Sequence, residues 1–302
     1  MLPKFRLAEP GSLDEALALM AEAVDRPIPL AGGTNLLVDL RNRGKAAGRL
    51  AWLGRIPELR RLDVTKDRVV LGARTTITDL LRRVELETAG PSLVQSARVF
   101  AGHMIRNAAT VGGNICYGSP AADMVPPLLS LDAELTLASR SGERTMPLQD
   151  FFTGYKATDR RPDEILTTIA WPRTPAGSVN MFHKLGLRKG DAITVIGVAV
   201  TIAVDNGHCS LARVALGAVA PTVLRAKAAE RTLEGERLTP AVIAEAARHA
   251  AEACRPIDDL RASADYRQHT AEVLVRRLVA RAWEQASGGR RRDQSVRQAT
   301  GG

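Results

Sequence analysis

The chain has 302 residues and a formal charge of +9, with 45% hydrophobic, 25% charged and only 4% aromatic residues. Because the length exceeds the roughly 100–200 residues of a typical domain, we expect two domains or one elaborated domain with a sizeable core. The scarcity of aromatic residues argues against a nucleic-acid surface built on base stacking, so the basic excess favours an acidic partner or an anionic cofactor.

The beginning of the chain predicts a small parallel α/β unit. Residues 5–7 can form a short strand, and Ser12 followed by Glu15 indicates the capped start of a helix. Residues 26–30 predict a second strand that leads into a pair of glycines. A strand–helix–strand order of this kind is typical of parallel pairing.

The middle of the chain predicts short strands and helices that end at a domain boundary. We expect strands at residues 50–53, 69–71, 133–138 and 165–171. A helix over residues 79–83 would be capped by Thr78, and another would run from Pro91 toward Phe100. The proline-bounded stretch 173–178 is the candidate boundary.

The last third of the chain predicts three strands, two helices and a tail. The strands are residues 182–185, 193–204 and 210–217, with a hairpin turn at Asn206-Gly207, and the helices are residues 240–254 and 264–286. The final stretch is rich in Gly, Arg and Gln without core-forming residues, which predicts disorder. The predicted division is 1–173, 178–286 and a disordered basic tail at 287–302.

Cysteine usage and hydropathy indicate a cytoplasmic chain without a metal site. Cys116, Cys209 and Cys254 form no CxxC, zinc or iron–sulfur pattern, which favours a reducing compartment. Residues 1–6 lack the apolar segment of a signal peptide. The longest apolar run, residues 192–204, is too short to span a bilayer and predicts a buried strand.

Two glycine-containing runs are the strongest candidates for a binding site. They are Leu30-Ala31-Gly32-Gly33-Thr34-Asn35-Leu36-Leu37 and Thr110-Val111-Gly112-Gly113-Asn114. Glycine allows positive φ and close backbone approach, and successive N–H groups can then form an anion-binding nest. Neither run is a GxGxxG fingerprint or a Walker loop. We predict two loops that converge on one phosphorylated ligand, with two ordinary glycine turns as the alternative.

Charged residues near these runs have two interpretations each. Asp123 could accept hydrogen bonds from sugar or ribityl hydroxyls, or it could cap the following helix. Lys184 and Arg188 could neutralise a developing anion, or they could form a solvated basic patch. His103 and His183 lack partners in sequence, and we predict no catalytic residue.

The combined pattern resembles the FAD-binding region of the molybdenum hydroxylase family, which includes the medium subunit of carbon monoxide dehydrogenase and the flavin domain of xanthine dehydrogenase. The resemblance rests on Phe100-Ala101-Gly102, Arg106-Asn107, the second glycine run and Asp123. Further agreement in the family's order and spacing comes from residues 30–37, 163–166, 182–184, 213–217, 220–222 and 259–267.

The resemblance implies an α+β fold: a PCMH/VAO-type FAD-binding domain in two subdomains, then a C-terminal domain with a three-stranded antiparallel sheet and helices. It implies that residues 30–37 and 110–114 wrap the FAD pyrophosphate and neighbouring groups. It also implies that Asp123 binds a cofactor hydroxyl, that Phe100 and Leu166 pack against the cofactor rings, and that Lys184 lies near the isoalloxazine.

The implied function is that of an FAD-binding electron-transfer subunit. Its partners would be a large molybdenum-cofactor subunit and a small [2Fe–2S] subunit, assembled as a dimer of heterotrimers, with NAD or quinone as the external acceptor. This chain lacks the cysteine patterns of the clusters, so FAD is the cofactor expected here.

Two alternatives remain from the sequence. Residues 32–37 are also similar to the first flavin loop of UDP-N-acetylenolpyruvoylglucosamine reductase, a self-sufficient flavoenzyme, although its catalytic Ser and Glu motifs have no counterpart in the C-terminal half. The second alternative is a basic protein that binds nucleic acid through its Arg-rich tail, for which the sequence offers only charge.

Overall fold

The computed structural model describes residues 2–42 and 48–299, with side chains described as far as residue 288. Its strands are β1 Arg6–Ala8, β2 Ile28–Leu30, β3 Arg49–Trp52, β4 Leu62–Val64, β5 Arg68–Gly72, β6 Glu134–Ser139, β7 Gly142–Pro147, β8 Phe152–Gly154, β9 Ala157–Thr158, β10 Ile165–Pro172, β11 Val179–Gly186, β12 Thr194–Asp205, β13 His208–Gly217 and β14 Leu224–Arg225. Its helices are α1 Leu13–Met20, α2 Leu36–Asn42, α3 Ile77–Arg82, α4 Leu86–Ala89, α5 Pro91–Arg98, α6 His103–Ala108, α7 Val111–Cys116, α8 Val125–Ser130, α9 Lys227–Leu233, α10 Pro240–Glu252 and α11 Ala264–Ala299.

The first sheet has the predicted parallel pairing. Its order is β1-β3-β2, and β3 is parallel to both neighbours. The Ser12 side chain accepts a hydrogen bond from the Glu15 N–H at 3.2 Å, which caps α1 as the sequence indicated. Leu17 and Met20 on α1 are buried against the following sheet, which joins this small unit to the main core.

The second sheet has five antiparallel strands in the order β4-β5-β10-β6-β7. Its central strand β10 is buried on both faces, which explains why residues 165–171 contain no charged side chain. Trp171 on this strand donates its indole N–H to the Ala89 carbonyl at 2.8 Å, so its one polar atom is satisfied inside the core.

The third sheet has four strands in the order β11-β12-β13-β14, so the expectation of three strands was wrong by one. The added strand β14 has only two residues, too few for alternation to be visible in sequence. The predicted hairpin joins β12 to β13, with φ of 48° at Asn206 and 80° at Gly207, as a type I′ turn requires. The helix α9 was also missed.

Two helix ends differ from the predictions. Thr76 caps α3, because its side chain accepts from the Asp79 N–H while Asp79 accepts from the Thr76 N–H; Thr78 lies inside the helix. The helix α11 extends to Ala299, beyond the predicted helix end at residue 286, and the disorder of residues 287–302 stays a prediction. Residues 300–302 of the predicted tail lie outside the described residues.

A buried polar seam holds β11 against α5 and α8. Asn180 on β11 accepts from the Ser92 N–H at 2.9 Å and donates to the Thr201 hydroxyl at 2.8 Å and the Ser130 hydroxyl at 3.1 Å. Gln95 accepts from the Phe182 N–H at 2.7 Å. Because the Asn180 amide bonds groups on both helices and on the neighbouring strand, these bonds fix the register of β11 relative to the helices.

Asp259 holds a buried arginine near the start of α11. It accepts from the Arg267 guanidinium at 2.7 Å and the Arg261 N–H at 2.8 Å, while Arg267 also donates to the Ala218 carbonyl at 2.8 Å. Burial alone would raise the pKa of Asp259, but its hydrogen bonds with Arg261 and the charges of Arg267 and Arg261 lower that pKa to about 2.

We expect Asp259→Asn to lower the free energy of unfolding at pH 7 by roughly 1.5–3 kcal/mol, the usual range for a hydrogen bond to a charged group. A lowered pKa in the folded state contributes stability that is present above the ordinary carboxyl pKa and is lost as pH falls toward the folded value. The difference between wild type and variant should therefore be smaller at pH 3 than at pH 7. Urea unfolding at both pH values measures it.

The matched control is Asp265→Asn, which makes the same charge change at an exposed position. An equal loss of stability in both variants would contradict a specific role for Asp259.

Candidate functional site

A cleft of about 250 Å³ lies where the β2–α2 loop, the α6–α7 loop and β10 meet. Thirteen of the predicted site residues line it: Leu30, Ala31, Gly32, Gly33, Thr34, Asn35, Leu36, Phe100, Thr110, Gly112, Gly113, Asn114 and Leu166. The two glycine-containing runs thus converge, as the sequence predicted. Four predicted residues do not line the cleft: Leu37, Val111, Asp123 and Lys184.

The first loop presents unused hydrogen-bond donors. Within the described residues, the N–H groups of Gly33, Thr34, Asn35 and Leu36 donate to no other group of the chain. The loop is held by bonds from the Leu37 N–H to the Gly33 carbonyl and from the Asp39 N–H to the Asn35 carbonyl. Gly33 has φ of 70°, which a residue with a Cβ adopts only with strain. Four adjacent free donors at a cleft suit a phosphate or pyrophosphate group.

The two loops touch through glycine. A Cβ on Gly32 would lie 1.9 Å from the Ala108 carbonyl oxygen, a distance that no side chain permits. A Cβ on Gly113 would lie 3.9 Å from the Ala31 Cβ, in ordinary contact. Gly32 is therefore needed for the loops to approach each other, and the cleft takes its shape from this contact.

The second glycine-containing run forms the start of α7, with Thr110 as its N-cap, and its backbone donors are already bonded within the chain. The N–H of Val111 donates to the Thr75 carbonyl at 3.0 Å, and that of Gly112 to the Ala73 carbonyl at 2.8 Å. The N–H groups of Gly113 and Asn114 both donate to Thr110, through its hydroxyl at 3.0 Å and its carbonyl at 2.9 Å. This loop contributes a small, smooth surface to the cleft, whereas the free donors belong to the first loop.

Asp123 and Lys184 form a buried ion pair beside the cleft. The Lys184 ammonium lies 2.7 Å from the Asp123 carboxylate and 3.3 Å from the Val99 carbonyl. The Thr194 hydroxyl donates to the other carboxylate oxygen. Burial raises the pKa of Asp123, against the opposing effect of Lys184 and Thr194. The Asn114 side chain accepts from the Met124 N–H at 3.1 Å, which connects this pair to the second loop.

The remaining charged candidates lie outside the cleft. Arg188 donates to the carbonyl oxygens of its own loop, at Gly190 and Asp191. His103 is exposed and contacts Asn107 at 3.4 Å. The described residues contain no group of three or more His, Cys, Asp or Glu side chains able to hold a metal ion.

The sequence did not point to several residues that line the cleft. Tyr117 lies one turn after Asn114, so helical periodicity could have found it. Its hydroxyl donates to Asp39 at 3.1 Å and accepts from Lys156 at 2.5 Å. Cys116 also lines the cleft, and burial raises the pKa of its thiol to about 11, so it stays protonated.

Glu164 is buried at the opposite wall of the cleft, beside Arg160. The Arg144 guanidinium donates two hydrogen bonds to the Glu164 carboxylate, at 2.7 and 3.0 Å. Burial would raise the pKa of Glu164, but the bonds from Arg144 and the Arg161 N–H lower it. Because Arg144 is twenty residues away in sequence, no local pattern could reveal this pair.

Comparison with known proteins agrees with this geometry. Residues 3–174 match the family described as the FAD binding domain in molybdopterin dehydrogenase, and residues 181–282 match the CO dehydrogenase flavoprotein C-terminal domain. The carbon monoxide dehydrogenase medium chain of Hydrogenophaga pseudoflava is 33% identical over 93% of this chain and 98% of the relative. The xanthine dehydrogenase FAD-binding subunit of Escherichia coli O157:H7 is 32% identical over 92% and 96%.

Solved structures are similar along nearly the whole chain. A structure of carbon monoxide dehydrogenase from Hydrogenophaga pseudoflava superposes with a TM-score of 0.90 at 35% identity, covering 94% of this chain and 99% of that one. Quinoline 2-oxidoreductase from Pseudomonas putida 86 gives a TM-score of 0.88 at 28% identity, covering 95% of this chain and 99% of that one.

The matched family and the FAD-binding relatives show that the chain is a flavoprotein whose cofactor is FAD. The chain belongs to the family of FAD-binding medium subunits of molybdenum hydroxylases, a family of oxidoreductases. The match over residues 181–282 favours this family over the reductase alternative. Among the described helices, none combines the length and the hydropathy needed to cross a bilayer.

We expect Gly32→Ala to destabilise the protein by roughly 1–3 kcal/mol, the usual cost of forcing extra atoms into packed structure, because its Cβ would overlap the Ala108 carbonyl. Gly190→Ala is the control, since nothing lies within 4 Å of a Cβ there. Urea unfolding of both variants measures the difference. Equal stability of the two variants would contradict the close approach of the loops.

Proposed function

We propose that this chain binds FAD in the cleft and serves as the electron-transfer subunit between the iron–sulfur clusters of a partner subunit and an external acceptor. The observation that carries the proposal is the row of free N–H groups on Gly33, Thr34, Asn35 and Leu36. Bound FAD supplies the ability to accept electrons singly and release them in pairs. The protein binds, orients and electrostatically tunes it.

The first loop would hold the pyrophosphate. Its four free donors are consecutive in sequence, and Gly33 has the positive φ that is typical of anion-binding nests. The same group would be bordered by Leu30, Ala31, Gly32 and Thr34. The Leu37 side chain packs against Gly33, because its Cδ1 lies 2.9 Å from the position that a Cβ on Gly33 would take.

The second loop and two apolar side chains would pack against the rest of the cofactor. Gly112 and Gly113 leave room at the cleft surface, and Thr110 and Asn114 border it. Phe100 and Leu166 line the cleft as apolar surfaces on which rings could stack. Val111 is fully buried and would act by anchoring the loop.

Asp123 and Lys184 would act together at one end of the cofactor. Each Asp123 oxygen already accepts one bond but retains a further lone pair, which could receive a cofactor hydroxyl. Lys184 is almost fully buried, so its positive charge is poorly screened by solvent. A cation so placed would stabilise the anionic reduced form of a flavin nearby.

The proposed assembly contains a large molybdenum-cofactor subunit and a small [2Fe–2S] subunit, as a dimer of heterotrimers, with NAD or quinone as acceptor. Relatives described as a medium chain and as an FAD-binding subunit support a multi-subunit arrangement. The three free cysteines suit the reducing cytoplasm.

We expect Gly113→Val to weaken FAD binding at least tenfold, because the added methyl groups enter the cleft and the new Cβ would lie 2.8 Å from the Thr110 hydroxyl that caps α7. FAD titration into the apoprotein, followed by quenching of flavin fluorescence, measures the dissociation constant. Gly154→Val is the control outside the cleft, where a Cβ meets only the Ala157 Cβ at 3.9 Å. Equal FAD affinity in both variants would refute the proposed site.

We expect Lys184→Met to make the reduction potential of bound FAD more negative, because the reduced anion loses a stabilising cation. Lys184→Arg should restore much of the wild-type value, and the exposed Lys66→Met should leave it unchanged. Potentiometric titration against reference dyes measures all three. If Lys184→Met alters stability but leaves the potential unchanged, the residue only positions Asp123.

A further inference from the structure

A second cavity of about 430 Å³ follows the edge strand β11, between α5 and α11. We call it the edge cleft. Its charged or titratable lining residues are all basic, and its walls are partly apolar. The basic residues are Arg98, His183, Lys184 and Arg281, and the apolar ones include Phe182 and Leu278.

One cation that lines this cleft, and a second one beside it, have no counter-charge. Lys184 is paired with Asp123, and Arg98 is paired with Glu87 at 2.5 Å. Arg281 lines the cleft, and Arg277, one turn earlier on α11, lies outside the lining but close enough for its charge to act on His183. Both arginines are exposed and form no ion pair with any described residue. Burial lowers the pKa of His183, and the charges of these two arginines lower it further. The edge cleft therefore keeps unbalanced positive charge.

The shape of the cleft favours an extended acidic segment over a single small anion. Its cations come from both sides of an edge strand, and Arg277 and Arg281 are separated by one helical turn, about 6 Å. Exposed arginines spread in this way match several carboxylates along a protein surface, whereas one small anion could engage only part of the set.

The edge cleft is also next to the 250 Å³ cleft proposed to bind FAD, which we call the cofactor cleft. Val99 lines the edge cleft and accepts a hydrogen bond from Lys184, while the following residue, Phe100, lines the cofactor cleft. A partner bound at β11 would therefore lie beside the flavin. Among the proposed partners, the one that exchanges electrons with the flavin needs this position.

We propose that the edge cleft docks an acidic surface segment of the iron–sulfur partner subunit, with Arg277 and Arg281 as the main contacts. The inference rests on the proposed function, because it names the surface on which the proposed partner binds. Neither arginine lines the cofactor cleft, so the two proposals can be tested separately.

The experiment measures association of the full chain with the small iron–sulfur subunit produced beside it, by titration calorimetry at low and high salt. We expect the double variant Arg277→Glu/Arg281→Glu to raise the dissociation constant at least tenfold at low salt and to lose most of the salt dependence of the wild type. FAD content should be unchanged, which confirms that the variant is folded. The control is Arg231→Glu/Arg237→Glu, with the same charge change at exposed positions outside the cleft.

Tight binding by the control and weak binding by the cleft variant would support the proposal. Equal affinity of the cleft variant and the wild type would overturn it, and so would an equal loss in both double variants. If the cleft variant loses binding of inorganic pyrophosphate but keeps the subunit, the cleft is a small-anion site and the proposal fails. A wild-type chain that binds FAD but no iron–sulfur subunit would overturn the proposed electron-transfer assembly together with this surface.

Discussion

Gly32 passes so close to the Ala108 carbonyl oxygen that any side chain would collide with it, and the cofactor cleft depends on that approach. The contact brings the β2–α2 loop against the α6–α7 loop, although they are nearly eighty residues apart in sequence. The N–H groups of the second loop are already bonded, two of them to the Ala73 and Thr75 carbonyls and two to Thr110. The first loop keeps its donors free. Under the proposed function, the first loop would bind the phosphate groups and the second would shape the cleft.

The polar seam at Asn180 connects this cleft to the C-terminal sheet. It fixes β11 against α5 and α8, and β11 carries Lys184 to Asp123. A buried ion pair contributes little net stability, because desolvation offsets the attraction between the charges. Its position is more informative: Lys184 lines the edge cleft and donates to the Val99 carbonyl, and the next residue, Phe100, lines the cofactor cleft.

Much of the fold could be predicted because its signals are local. The capped start of α1, the parallel first sheet and the turn at Asn206-Gly207 follow from a few adjacent residues. The loops could be predicted to converge, but not which of them keeps free donors, since that depends on remote carbonyls such as those of Ala73 and Thr75. The sequence could not reveal the ion pair between Arg144 and Glu164 or the two-residue strand β14, because both depend on pairing with distant parts of the chain.

Amide hydrogen exchange with and without FAD tests the central claim most directly, because it reads the backbone donors themselves. The account predicts that FAD protects the amides of Gly33, Thr34, Asn35 and Leu36, which are unbonded in the chain, and changes those of Gly112, Gly113 and Asn114 far less, since they are already bonded. Protection confined to the second loop, or no protection at residues 33–36 in a chain that has bound FAD, would contradict it.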